Sequence, residues 1–334
     1  MTISGASQTR VSPLVFFAIV ITILAWASAF IVIRGTAPHF SAGALVLGRL
    51  AVGTVLLGLT ALLGRRWVRP TRREWLLITG FGVLWFCLYN VALTIAEHSL
   101  DAGTTAMLVN VGPILIALGA GIILKEGIPK WLGIGAGVAF AGVILIGVGT
   151  GGGAIGGAAG GVGVLWCVLA AFVYAAGVLM QKPAIKRLPN AQVTFLGCAI
   201  GLVACLPSTG QLIEGVSVAP VQAVAGVVYL GAIPTALAFS TWAYALSRMP
   251  AGQLGVTTYV VPPIVIVMGV LFFHEVPAPL AIAGGIVCLV GVALSRRRSN
   301  PRPGGGRIPD DRKTRRGTST SDSRSDANRG RMAS

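Results

Sequence analysis

One charged side chain, Arg49, stands inside the ten long apolar stretches of this 334-residue chain. A charge in such a place is costly to keep and defaults to a functional hypothesis. It either attracts an anionic group on a bound molecule or snorkels outward to satisfy helix-end carbonyls. Trp26, Tyr89, Tyr174, Trp242 and Tyr259 fall near the middle of their stretches, away from the interfacial positions where Trp and Tyr usually sit. Such rings either pack between helices or line a cavity, where they stack on apolar groups or hold an ammonium over a ring face. Asn90 and Asn110 are mid-stretch amides, able to bind a carboxylate or an amine or to bridge two helices. The carboxylates Glu97, Asp101, Glu126 and Glu275 lie at stretch edges. Glu126 and Glu275 each end a stretch, where a carboxylate opposes the helix dipole and should turn toward the next helix N-terminus. That suggests a structural or gate-latch role, with proton coupling as the lesser alternative.

Several kinds of chemistry are missing from the sequence. His39, His98 and His274 lie at stretch ends, and no mid-stretch carboxylate joins them in a catalytic or metal-binding cluster. The Gly-rich segment from Gly149 to Gly163 has no GKS or GKT ending, so it is a linker and not a phosphate cradle. The five cysteines (Cys87, Cys167, Cys198, Cys205, Cys288) lack CxxC spacing and read as small core residues. An enzyme is not expected, nor a cofactor or metal.

The elements that must position these groups follow from composition. At 54% hydrophobic and 11% charged residues the chain cannot cover a water-exposed surface. Apolar runs near 13–33, 41–63, 75–96, 102–124, 131–148, 162–180, 191–206, 221–247, 251–273 and 278–295 are each compatible with a helix crossing about 30 Å of hydrocarbon. With ten crossings and both termini cytoplasmic, every basic residue except Arg34 and Arg49 faces the cytoplasm, as the positive-inside rule requires. The net charge of +16 therefore sets orientation and does not call for nucleic acid. Residues 296–334 form a basic tail with little to bury and are expected to be disordered.

The chain also repeats itself. At an offset of 149, Gly103, Pro113, Glu126, Gly135 and Gly142 fall on Gly252, Pro262, Glu275, Gly284 and Gly291. At 148, Trp26 meets Tyr174 and Arg34 meets Lys182, and at 153, Phe86 and Tyr89 meet Phe239 and Trp242. The change of offset places four extra residues between Thr94 and Leu100, so the third helix should run longer or end in an added turn. A unit of five crossings is odd, so the second copy must enter the membrane from the opposite side. The expected architecture is an all-α polytopic membrane protein of two inverted five-helix repeats, an arrangement secondary transporters use for alternating access. Its parts are an N-terminus at 1–12, a first repeat at 13–148, a linker at 149–161, a second repeat at 162–295 and the tail at 296–334. Pro113, Pro234 and Pro262 are candidate hinges, because proline removes a helical hydrogen bond. Gly133 with Gly137, and Gly284, Gly285 and Gly291, are expected to let helices approach closely.

Trp26-Ala-Ser-Ala-Phe30, Gly48-Arg49-Leu50, Asp101-Ala-Gly-Thr-Thr-Ala106, Val111-Gly-Pro113, Lys125-Glu126 and Trp131-Leu-Gly133 follow one another in order, and Ala251-Gly252, Pro262 and Glu275 repeat the pattern. In this the chain resembles the EamA-type exporters of the drug/metabolite transporter superfamily over residues 13–295. The resemblance implies a bacterial inner-membrane carrier of amino acids or similar metabolites. It also implies a central cavity lined by helices one, three, four, six, eight and nine. The expected partners are a small-molecule substrate and the lipid bilayer, not nucleic acid, with the chain a monomer or homodimer. Without a buried carboxylate to trade protons, gradient-driven uniport or weakly coupled exchange of a neutral or zwitterionic amphiphile is expected. The alternatives are a proton-coupled drug efflux carrier and a scaffold that presents its basic tail.

Overall fold

A computed structural model describes residues 12–64, 66–123, 130–151 and 157–295. Glu126, the basic tail and residues 152–156 of the Gly-rich linker lie outside the described residues.

In chain order the helices are α1 (Pro13–Thr36), α2 (Ala42–Leu63), α3 (Arg72–Glu97), α4 (Ala102–Ile123), α5 (Lys130–Gly151), α6 (Gly157–Ala184), α7 (Asn190–Val218), α8 (Val221–Arg248), α9 (Ala251–Phe273) and α10 (Pro279–Ser295). Among the described residues nine helices are long and apolar enough to cross a membrane, whereas the apolar part of α10 ends at Gly291. At about 1.5 Å per residue, a 17-residue α10 reaches about 25 Å, just short of a bilayer core. Both flanks of the Gly-rich linker are helical, since α5 runs through Gly151 and α6 begins at Gly157.

The helix starts are capped by local chemistry. Ser41 accepts from the Ala44 amide, and Thr71 with Glu74 forms a reciprocal capping box. Asp101 accepts from the Thr104 amide at 2.8 Å and from its hydroxyl at 2.6 Å. The four extra residues of the first copy appear as an added turn. The amides of Ser99 and Leu100 both fold back on the Ala96 carbonyl before Asp101 opens α4. The seventh helix outruns its expected end at 206. A tight turn at Leu206–Ser208 leads into Thr209–Val218, whose polar Gln211 and Glu214 break the apolar run without breaking the helix.

Two helices are locally widened and two are interrupted. α3 opens into a π-helical turn over Gly82–Tyr89, and α8 does so over Gly231–Leu237. Pro234 explains the second, because it has no N–H to give to the Leu230 carbonyl. The Thr235 hydroxyl donates to that carbonyl instead, at 2.8 Å. In α3 the side chain of Asn90 does the equivalent, Nδ2 donating to the carbonyls of Trp85 (2.9 Å) and Phe86 (3.0 Å). α4 breaks between Ala102–Val109 and Gly112–Ile123, with Asn110 at the break. α9 breaks between Ala251–Thr257 and Val261–Phe273. Pro113 and Pro262 each sit in the first turn of the second segment, where a missing N–H costs little.

α5 and α10 pack with their backbones nearly touching. A Cβ on Gly142 would meet the Gly284 carbonyl at 2.6 Å, and one on Gly284 would meet the Gly142 carbonyl at 2.7 Å. The seam is made by Gly142, Gly284 and Gly291. The expected Gly133–Gly137 pair is not used, since a Cβ at either position would meet nothing within 4 Å.

Candidate functional site

Where the widened turns meet the broken helices, a cavity of about 60 Å³ opens. Space for a water is roughly 10–15 Å³ on this measure, so it admits several. Trp26, Ala29 and Phe30 come from α1, Trp85, Tyr89, Asn90 and Leu93 from α3, and Ala106, Val109 and Asn110 from α4. Tyr174 comes from α6, Phe239 from α8, Thr258 and Val261 from α9, and Arg49 adds α2 to the lining.

The apolar wall is a stack of rings. Trp85 lies 5.0 Å from Tyr174 and 4.8 Å from Phe239, while Trp26 lies 5.9 Å from Trp85. Edge and tilted contacts of this kind fix ring positions beyond what area burial does. Trp242 stands behind this wall, 4.9 Å from Trp26 and outside the lining. Tyr259 is also outside it and borders two neighbouring apolar clefts beside α9 and α10.

Arg49 is 3% exposed, and its Nε and Nη2 donate to the Thr235 hydroxyl at 3.1 and 3.0 Å. The guanidinium therefore points inward onto the widened turn of α8 and does not snorkel. None of its described bonds uses Nη1. Asn110 contributes a buried Nδ2 with no hydrogen-bond partner, just ahead of the N-terminus of the second α4 segment. Backbone N–H groups and the dipole make such a terminus favourable to an anion. Asn90, by contrast, spends its donor on its own helix.

Of the side chains marked by type and position in the sequence, Trp26, Arg49, Tyr89, Asn90, Asn110 and Tyr174 share this lining. Trp85, Phe239 and Thr258 line it too and are not among them. Phe239 is within reach of sequence, because the repeat pairs it with Phe86. Trp85 is not, because its repeat partner is Ala238 and no pattern marks it.

Cations tie the helix ends on either side of the cavity. Arg34, at the end of α1, donates from Nη1 to the Glu97 carbonyl at 2.9 Å, and from Nε and Nη2 to Glu275 Oε1 at 2.9 and 2.7 Å. Glu275 thus turns to α1, whereas the helix dipole alone would send it to the following helix. His274 is left-handed (φ 56°), and this reverses the chain so that the Glu275 amide bonds the Gly269 carbonyl. Lys182, at the end of α6, donates to the carbonyls of Leu246 and Met249 at the end of α8. α1 and α8 run antiparallel, with Thr22 bonded to Thr241 and Ser28 to Tyr229, so these two ties lie at opposite ends of the bundle.

Glu97 overturns the expectation that the chain has no buried carboxylate. It is 0% exposed, and neither carboxylate oxygen has a hydrogen bond. It ends α3 just before the added turn, and its enclosure is something spacing along the sequence could not reveal.

A bundle of apolar helices around a small polar-tipped cavity is the architecture of a multi-pass membrane transporter. Residues 13–148 and 161–297 each match the EamA-like transporter family, and the chain belongs to that family. It is 35% identical over 287 residues to a protein of Streptantibioticus cattleyicolor named "Probable terminal-alkyne amino-acid exporter", covering 85% of this chain and 93% of that one. It is 31% identical over 280 residues to the "Uncharacterized transporter YdfC" of Bacillus subtilis, covering 82% and 88%. A solved crystal structure shares the fold with a TM-score of 0.59 at 19% identity, covering 84% of this chain and 96% of the other.

Proposed function

We propose that this transporter exports small amphiphilic amino acids from a bacterial cell by alternating access. The carrying observation is the chemistry of the cavity, in which an unpartnered amide donor, a helix N-terminus and a guanidinium face a wall of aromatic rings. Asn110 Nδ2 and Arg49 suit a carboxylate, and Trp26, Trp85 and Tyr174 suit an apolar side chain with an ammonium over a ring face. Trp242 supports Trp26 from behind, and Asn90 keeps the α3 turn in shape. Tyr89 completes the wall, and Tyr259 flanks the α9 break.

Two five-helix halves in inverted orientation, with both termini cytoplasmic, would let the cavity open to each side in turn. Pro113, Pro234 and Pro262 are the proposed hinges, each at a break or a widened turn. Glu275 is the proposed latch at the Arg34 end. The repeat carries Glu275 onto Glu126 and Arg34 onto Lys182, making Glu126 the proposed counterpart at the other end. The amino acid named for the Streptantibioticus relative is a reasonable first substrate class.

Proteoliposomes containing the full chain should exchange L-propargylglycine, a terminal-alkyne amino acid, across the membrane. The Asn110→Ala and Trp26→Ala proteins should do so about tenfold more slowly, as expected when a directed contact worth about 1.4 kcal/mol is lost. Equal flux in protein-free vesicles, or no response to either substitution, would refute the assignment.

A further inference from the structure

Glu97 does not line the cavity, and the cavity chemistry does not use it. Its carboxylate is enclosed and unbonded. Facing it are Arg34 from α1, Arg49 from α2, Asp101 at the head of α4 and Glu275 beyond α9, with Tyr89 of its own helix and Cys167 of α6 also in range. Most of these are otherwise engaged. Asp101 caps α4, Arg49 holds Thr235, and His98 next in the chain turns its Nδ1 to the Thr94 carbonyl. Arg34 differs, because one nitrogen already rests on the backbone carbonyl of Glu97 while the other two hold Glu275 Oε1. The second oxygen of Glu275 is itself buried without a hydrogen bond. Two carboxylates thus compete for one guanidinium. An ionised carboxylate out of water and without a donor is costly, so only one of the two acids is well served at a time.

The sequence adds that Glu97 falls in the four-residue insertion found only in the first copy. The second half has nothing equivalent, so this group is an addition to the symmetric carrier.

We infer that Glu97 is a proton-binding site that works the Arg34–Glu275 latch. With its carboxyl protonated, Arg34 stays on Glu275 and ties α1 to the chain beyond α9, as in this structure. When the carboxyl O–H gives its proton to water, the new carboxylate takes the guanidinium over from Glu275. No other covalent bond changes. Glu275 stays ionised, and its side chain, 26% exposed, is solvated as this end opens. Resting on the alternating-access reading, this makes proton release at one end the trigger for opening that end, and proton-coupled exchange replaces uniport.

Infrared difference spectra of the full-length protein in lipid, recorded from about pH 6, where exposed carboxylates are already ionised, to alkaline pH, need no substrate. A carboxylic C=O band should disappear on alkalinisation in the natural protein and in Glu275→Gln, and be absent throughout in Glu97→Gln. In proteoliposomes with L-propargylglycine, one-proton exchange should accumulate the probe about tenfold per unit of imposed pH gradient. Glu97→Gln, which cannot release a proton and so leaves Arg34 on Glu275, should lose this accumulation and slow exchange of the probe at equal pH, and Glu97→Asp should recover part of both. The inference is overturned by a titrating band that survives Glu97→Gln, by no titrating band at all, or by accumulation that Glu97→Gln leaves intact. If no protein moves the probe, the amino-acid reading fails and the infrared band alone decides Glu97.

Discussion

The two ends of the bundle are closed by the same kind of tie and differ in what answers it. At each end a cation on the last turn of a helix, Arg34 of α1 or Lys182 of α6, reaches backbone carbonyls at the end of another helix, α3 or α8. At the Arg34 end, Glu275 is added as a salt-bridge partner and Glu97 as a buried, unbonded acid. Lys182 donates to the carbonyls of Leu246 and Met249. The tie at the Arg34 end therefore includes acids that can respond to charge.

The largest effect expected from this comparison is on which side the cavity faces. Arg34→Ala and Lys182→Ala should shift the accessibility of the cavity in opposite senses, each by up to about 100-fold, the upper range for a coupled equilibrium. A cysteine placed at Ala29, in a protein whose five buried cysteines are replaced, reports this through its reaction with an impermeant maleimide added to one side or the other. If both substitutions shift labelling to the same side, the two ties do not oppose each other.

Next in size is the support of Arg49. Thr235→Val removes the acceptor that holds a buried guanidinium and the donor that satisfies Leu230, and should cost about 1–3 kcal/mol in a detergent thermal melt. Thr235→Ser should restore most of it. A smaller difference is expected between the carboxylates. Glu275→Gln keeps an acceptor for Arg34 but loses its charge, and should shift accessibility about tenfold, whereas Glu126→Gln should match it in the opposite sense only if the repeat brings Glu126 to Lys182. Deletion of 299–334 should change flux least of all, and a large loss would restore the scaffold reading.

How far the sequence can be read varies with the kind of interaction. Apolar run length locates the helices, because crossing hydrocarbon needs a certain number of apolar residues whatever their neighbours. Pro113, Pro234 and Pro262 mark the neighbourhoods of the breaks in α4 and α9 and of the widened turn in α8, because proline acts on its own backbone. They do not foresee the widened turn in α3, which has no proline and depends on Asn90 folding back on its own helix. Gly133 and Gly137 have the spacing of a helix seam and face open space, because spacing cannot say which side of a helix another will cover.

Composition thus determines the membrane setting and the helix positions, since both depend on summed transfer energies along the chain, and the ordered short motifs carry the family resemblance. Tertiary structure decides which polar groups meet. Arg49 with Thr235, Arg34 with Glu275 and the enclosure of Glu97 join positions far apart in sequence. Hydrogen bonds and ion pairs act over a few ångströms of space, and only packing brings those atoms together.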